Sequence, residues 1–137
     1  MSFQLDFTIK YRYPPTSVGV TIPVAIVLDE SVVDAEAKID TGSEYCIFRR
    51  ETAEELGLEV NDGVPLKFSS LSGTMTAYVH RVIIQFLDLA FEAMVLFVAD
   101  YGLPRNLLGR VGWLEHLHLG LTEAENTLYL SSIYQPK

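Results

Sequence analysis

A mainly β fold with one or two short helices is what this sequence predicts, and three observations predict it. Apolar residues recur at every second position, most clearly Val18, Val20, Ile22, Val24, Ile26 and Leu28, the period at which a strand turns one face toward a core. Clusters of turn formers punctuate such runs, among them Pro14-Pro15, Asp29-Glu30-Ser31 and Asn61-Asp62-Gly63. Helical patterning is confined to two short stretches, residues 49–58 and 111–117.

Taken in order, residues 1–13 alternate, with Phe3, Leu5, Phe7, Ile9 and Tyr11 against polar neighbours, and Pro14-Pro15 ends that strand. The strand at 18–28 carries Pro23 on its second face; lacking an N–H, proline suits an edge or a bulge. After the loop at 29–31 the chain re-enters a strand over 33–39. Residues 49–58 hold helix formers, an Arg50/Glu54 pair at i,i+4, and Ala53 and Leu56 on one side, with Gly57 as the stop. A turn at 61–63 leads into a strand at 64–68. Small and polar residues at 69–76 form a hairpin tip that leads into the long strand 77–86, followed by strands at 91–99 and 127–130. The two halves echo each other: strands, an apolar stretch closing on a glycine, then a short helix, with Gly42 and Gly109 as matching punctuation.

At 137 residues the chain has the size of one domain, spanning 1–137, able to bury roughly two-thirds of its unfolded surface. Hydrophobic residues at 49% against 20% charged place it among globular rather than disordered chains. The single cysteine, Cys46, excludes an internal disulfide; between Tyr45 and Ile47 it reads as a buried structural thiol. No apolar run has the ~18 to 20 residues of a membrane helix. The start lacks the features of a signal peptide, so no membrane partner and a cytoplasmic location are expected. A formal net charge of −8 opposes nucleic acid as a partner. His116 and His118 lie two apart with no third ligand nearby, which favours packing or surface roles over a metal, and Trp113 reads as core. Ser43 has no Gly-x-Ser-x-Gly setting, and no phosphate loop or dinucleotide fingerprint occurs, so no cofactor is expected.

Two motifs carry the chemistry. The first is Ala37-Lys38-Ile39-Asp40-Thr41-Gly42-Ser43, a strand running into a sharp turn that leaves one carboxylate at its tip. Alone, it reads first as an Asx turn, with aspartate bonding its own backbone. The second, much later in the chain, is Asn106-Leu107-Leu108-Gly109-Arg110, followed by the apolar stretch 111–117. Together, and with the hairpin between them, they resemble the retropepsin-type aspartic proteases, the single-lobe enzymes of retroviruses and their cellular and bacterial relatives, over residues 16–130.

That resemblance implies a closed, β-barrel-like acid protease lobe and an aspartic endopeptidase. By it, Asp40 is catalytic, and Thr41, Gly42 and Ser43 complete the active-site loop, with Thr41 locking two such loops together through its hydroxyl. Leu71, Ser72, Gly73 and Thr74 belong to the flap that closes over a peptide or protein substrate. Glu44, Leu108, Gly109 and Arg110 are structural support, Glu44 and Arg110 as an ion pair.

Peptide hydrolysis by carboxylates alone needs one as base toward water and another, protonated, as donor to the scissile carbonyl. Two carboxyls ~3 Å apart cannot both ionise, and so share a proton. Only Asp40 sits in an Asp-Thr/Ser-Gly setting; Asp6, Asp29, Asp34, Asp62, Asp88 and Asp100 do not. The second carboxylate is therefore expected from Asp40 of another copy, making the protein a homodimer. The competing reading is a non-catalytic dimeric peptide-binding module that keeps the protease-like lobe.

Overall fold

The period-two run becomes β2, Thr21–Leu28, whose inward residues Ile22, Val24 and Ile26 are at most 3% exposed. The computed structural model describes residues 1–15, 18–70 and 73–134. Besides β2 these contain β1 (Ile9–Arg12), β3 (Ser31–Ile39), β4 (Cys46–Phe48), β5 (Val64–Ser70), β6 (Gly73–Phe86), β7 (Leu89–Val98), β8 (Asn106–Leu108), β9 (Leu117–Thr122) and β10 (Thr127–Ser132). One α-helix, α1 (Arg50–Glu55), and three single 3₁₀ turns complete them.

Six strands close on themselves in the order β2-β3-β8-β4-β7-β6, because β6 returns to β2 through Ala25↔Gln85, Ile26↔Ile84 and Val27↔Ile83. Closure leaves few unpaired edges. β5 lies outside the ring as the hairpin partner of β6. The joints β3–β8 and β4–β7 are parallel, and the other joints in the ring are antiparallel. Pro23 falls where β2 is paired with β3 alone, so its missing N–H costs no ladder bond. A separate antiparallel sheet, β1-β10-β9, packs Ile9, Leu128 and Leu130 into the same core as Ile22, Phe48, Phe86 and Trp113. Each fully buried side chain of this size contributes about 1.5–3 kcal/mol.

The helix at 49–58 forms as α1 over six residues, and the Arg50 to Glu54 pair is present at 3.2 Å. Its end is a Schellman arrangement: Gly57, at φ +87°, donates to Glu54 O at 3.0 Å, and Leu58 donates to Ala53 O at 3.0 Å. The second helix does not form. Gly112 at φ +101° breaks the helical path, only a 3₁₀ turn at Leu114–His116 survives, and β9 begins at Leu117. The alternation of Leu117, Leu119 and Leu121 is a strand pattern. The alternating N-terminal run also shortens, to Ile9–Arg12, because β10 supplies ladder partners only there; Met1, Phe3 and Leu5 are exposed. Among the described residues, no helix is long and apolar enough to cross a membrane.

Candidate active site

Asp40 is delivered by the end of β3. Ile39 donates to Val20 O and Asp40 to Leu108 O, each at 2.9 Å, which holds the strand end between two neighbours. The chain then turns: Ser43 donates to Asp40 O at 3.2 Å, and the Gly42 N–H donates to Asp40 Oδ1 at 2.9 Å. The Asx-turn geometry is therefore real, and it is also what aims the carboxylate. Oδ2 has no hydrogen-bond partner among the described residues, and Asp40 is half-buried while Thr41 and Gly42 are exposed. A side chain at Gly42 would start 3.2 Å from Asp40 Oδ1, tight enough to disturb that bond. The Thr41 hydroxyl has no hydrogen-bond partner among the described residues.

The second motif crosses behind the first. Arg110 donates to Ser43 O at 2.9 Å and Val111 to Glu44 O at 2.7 Å, and Tyr45 bridges Val111 in parallel. Gly109 makes this crossing possible, since a Cβ there would lie 2.1 Å from Tyr45 O. Cys46 joins the two loops from below: its Sγ accepts from Gly109 N at 3.4 Å and donates to Val111 O at 3.5 Å. Burial pushes the thiol up to about 11, partly opposed by the Gly109 N–H and assisted by the charge of Glu115. The structural thiol expected from the sequence is what the fold contains. Leu108 is fully buried behind the loop. Buried Asn106 ties the same region together, accepting from Arg49 N at 2.8 Å and donating to Glu36 O at 3.0 Å.

The expected Glu44–Arg110 ion pair is absent. Both side chains are exposed and line one surface depression without forming a salt bridge. Their backbones are already joined through the Ser43 and Glu44 carbonyls. An exposed pair is worth only ~0–1 kcal/mol, too little to order two long side chains.

A cleft of about 650 Å³ opens beside Asp40. Its floor and near wall are Gly42, Ser43, Glu44, Tyr45, Ile47 and Leu107; Leu103 and the β5–β6 hairpin supply the rest through Phe68, Ser69, Ser70 and Met75. The register Phe68↔Met75, Ser69↔Thr74, Ser70↔Gly73 sets two large apolar side chains over the cleft. Of the expected flap residues, Gly73 and Thr74 are exposed at the start of β6, and Gly73 has φ +118°. Leu71 and Ser72 lie outside the described residues. The sequence reading missed Tyr45, Ile47, Phe68, Met75 and Leu103 as cleft walls. Their only signal was an apolar residue beside a motif or a hairpin tip. Phe68, Met75, Tyr45, Ile47 and Leu103 pack on a small second core of Ala77, Leu96 and Val98. His116 and His118 stand apart from the cleft: His116 stacks on Phe91 at 4.8 Å and pairs with the Tyr134 hydroxyl at 2.6 Å, and His118 lies in β9.

A closed six-strand ring whose Asp-Thr-Gly turn is crossed by a Leu-Gly-Arg turn defines a retropepsin-like acid protease lobe. A family profile described as aspartyl protease matches residues 22–111, well over half of the chain, and the chain belongs to that family. Among solved structures, a retropepsin-like aspartic protease from Rickettsia conorii superposes with a TM-score of 0.65 at 15% identity, covering 88% of this chain and 96% of that one. EIAV protease complexed with the inhibitor HBY-793 superposes with a TM-score of 0.52 at 17% identity, covering 66% of this chain and 80% of that one. At these identities the likeness is one of fold. No curated protein sequence matches the chain.

Proposed function

We propose that the chain is an aspartic-type endopeptidase that works as a homodimer, each copy giving one Asp40 to a shared dyad. The observation that carries this is the placement of Asp40. It sits half-buried at the mouth of an apolar cleft, Oδ1 held by Gly42 and Oδ2 free of hydrogen bonds to the described residues. Of the described residues lining the cleft, only Glu44 is also acidic, and it lies on the exposed side of the loop.

Two Asp40 carboxyls brought together across a two-fold axis would hold one proton between them. The ionised one takes a proton from a bound water, whose oxygen attacks the scissile carbonyl carbon. The protonated one donates to the carbonyl oxygen. Collapse of the diol intermediate breaks the C–N bond as the protonated carboxyl gives its proton to the leaving amine and the other carboxylate takes one from a diol hydroxyl, so the dyad again shares one proton. The exposed Thr41 and Gly42 are the part of the loop available to meet a partner copy and a peptide backbone. The β5–β6 hairpin is the flap of this reading.

Two measurements test it. Sedimentation of the wild type should give a species near twice 15.3 kDa. Asp40→Asn should reduce peptide cleavage by at least roughly 10²-fold while leaving the circular dichroism unchanged. A dimer that binds but never cleaves peptides would favour the binding-module reading, and cleavage retained by Asp40→Asn would refute the mechanism.

A further inference from the structure

The cleft wall that carries Leu103 is held from outside the cleft. Residues 99–105 join β7 to β8, and Leu103 lines the cleft while packing on Ala77, Leu96 and Val98. Ala99 donates to Thr76 O at 2.9 Å, but residues 100–104 make no backbone–backbone hydrogen bond to the described residues. Side chains of α1 and its N-cap residue, Arg49, take the place of such bonds. Arg49 Nε donates to Leu103 O at 2.9 Å, and Arg49 Nη2 meets Glu51 Oε2 at 3.1 Å. The same Glu51 oxygen accepts from Gly102 N at 3.3 Å. One guanidinium–carboxylate pair thus grips the Gly102-Leu103 segment at both ends. Arg50 fastens the start of the loop, donating to Ala99 O at 2.9 Å and lying 5.3 Å from the Tyr101 ring centre. Neither Arg49 nor Glu51 is among the described residues that line the cleft. Without the pair, the Gly102 N–H and the Leu103 carbonyl would turn to water, and Leu103 would be held by its apolar contacts alone.

We infer that Arg49, together with Glu51, is a positioning residue for substrate choice: it acts through Leu103, holding that side chain where the cleft favours a large apolar residue of a bound peptide. This rests on the peptidase reading only in taking a peptide as occupant.

The test uses the full chain with Asp40→Asn, which permits binding to be read apart from cleavage. A single leucine is moved along a fluorescent peptide of alanine and serine, and each affinity is compared by anisotropy with that of the leucine-free parent. At the best position leucine should tighten binding about tenfold. Arg49→Ala should cut that preference to about twofold and leave the parent's affinity little changed, and Arg49→Lys should recover part of it. Leu103→Ala should cut it as far, and the double variant should lose no more than Leu103→Ala alone, because both changes act through one side chain. A role in folding alone would instead weaken both peptides together, lower the urea midpoint and add to the Leu103→Ala loss. Glu51→Ala, which removes the acceptor shared by Arg49 and Gly102, should repeat the result and carries the test where Arg49→Ala does not fold. No leucine preference at any position, a preference that survives these substitutions, or losses that add in the double variant would each overturn the assignment. Running the same peptides with wild type separates the two readings. A leucine preference that depends on Arg49 without cleavage fails the peptidase reading and keeps Arg49, whereas cleavage whose leucine preference ignores Arg49→Ala does the reverse.

Discussion

Replacing Gly109 by alanine would put a methyl carbon 2.1 Å from Tyr45 O, 2.5 Å from Tyr45 C and 2.8 Å from Ser43 O. All three are backbone atoms, so no rotamer change relieves the clash and the crossing loops must separate. Separation strains or breaks Arg110 N–H to Ser43 O, Val111 N–H to Glu44 O and Gly109 N–H to Cys46 Sγ. With a net contribution of ~1 kcal/mol for each of the three hydrogen bonds and an overpacking cost of ~1–3 kcal/mol, Gly109→Ala should destabilise by about 4–6 kcal/mol. Against a total of ~5–15 kcal/mol, that is a large share. Urea unfolding followed by Trp113 fluorescence measures it, since Trp113 is fully buried close by in sequence. Gly57→Ala is the comparison: its φ of +87° strains an alanine in a way that Gly109's backbone does not, but nothing lies within 4 Å of its Cβ, so it should cost only ~1–2 kcal/mol. A Gly109→Ala protein within 1 kcal/mol of wild type, or no worse than Gly57→Ala, would refute the argument that the crossing depends on a bare backbone.

Further outcomes follow from the same geometry. A double-mutant cycle on Glu44 and Arg110 should return a coupling below ~0.5 kcal/mol; more than 1 kcal/mol would restore the ion pair that the structure lacks. Cys46, raised by burial from 9.0 to about 11, makes folding stability pH-dependent. Its contribution is fully present below pH 9 and is lost as pH rises toward 11, because the unfolded thiol ionises first. Urea titrations should therefore show a Cys46-dependent decline of about 2–3 kcal/mol over that window, and Cys46→Ala should reduce the slope by that amount; a slope unchanged by Cys46→Ala would contradict the burial argument. Native Cys46 should also resist iodoacetamide at pH 8 and react on unfolding. Leu108→Ala, at a fully buried position under the active-site loop, should cost ~2–5 kcal/mol, and a loss under 1 kcal/mol would show that the site collapses.

Local chemistry made part of this protein legible in advance. The alternation in β2, the Arg50/Glu54 pair, Gly57 as a helix stop and the turn at Asp40-Thr41-Gly42 all depend on residues within a few positions of one another, where a sequence is a direct record of the forces. The motif around Gly109 was also legible, because an apolar pair before glycine and arginine stands out from its surroundings. The second helix misled for an equally local reason. Residues 111–117 are apolar enough for a helix, but Gly112 adopts a left-handed backbone and Leu117, Leu119 and Leu121 belong to a strand that β10 pairs.

What only the tertiary structure decided concerns partners distant along the chain. The parallel joints β3–β8 and β4–β7, and the return of β6 to β2, close the ring through hydrogen bonds whose two halves carry no mark of each other in sequence. The role of Gly109 comes from the Tyr45 carbonyl packed against it. The cleft walls Phe68, Met75 and Leu103 share a surface only because the hairpin and the loop before β8 meet over Asp40. Glu44 and Arg110 stay apart because exposed charges gain too little from pairing to be held by composition alone. Sequence determines local geometry because its causes are local. The site depends on long-range backbone pairing, which is decided only when the chain has closed on itself.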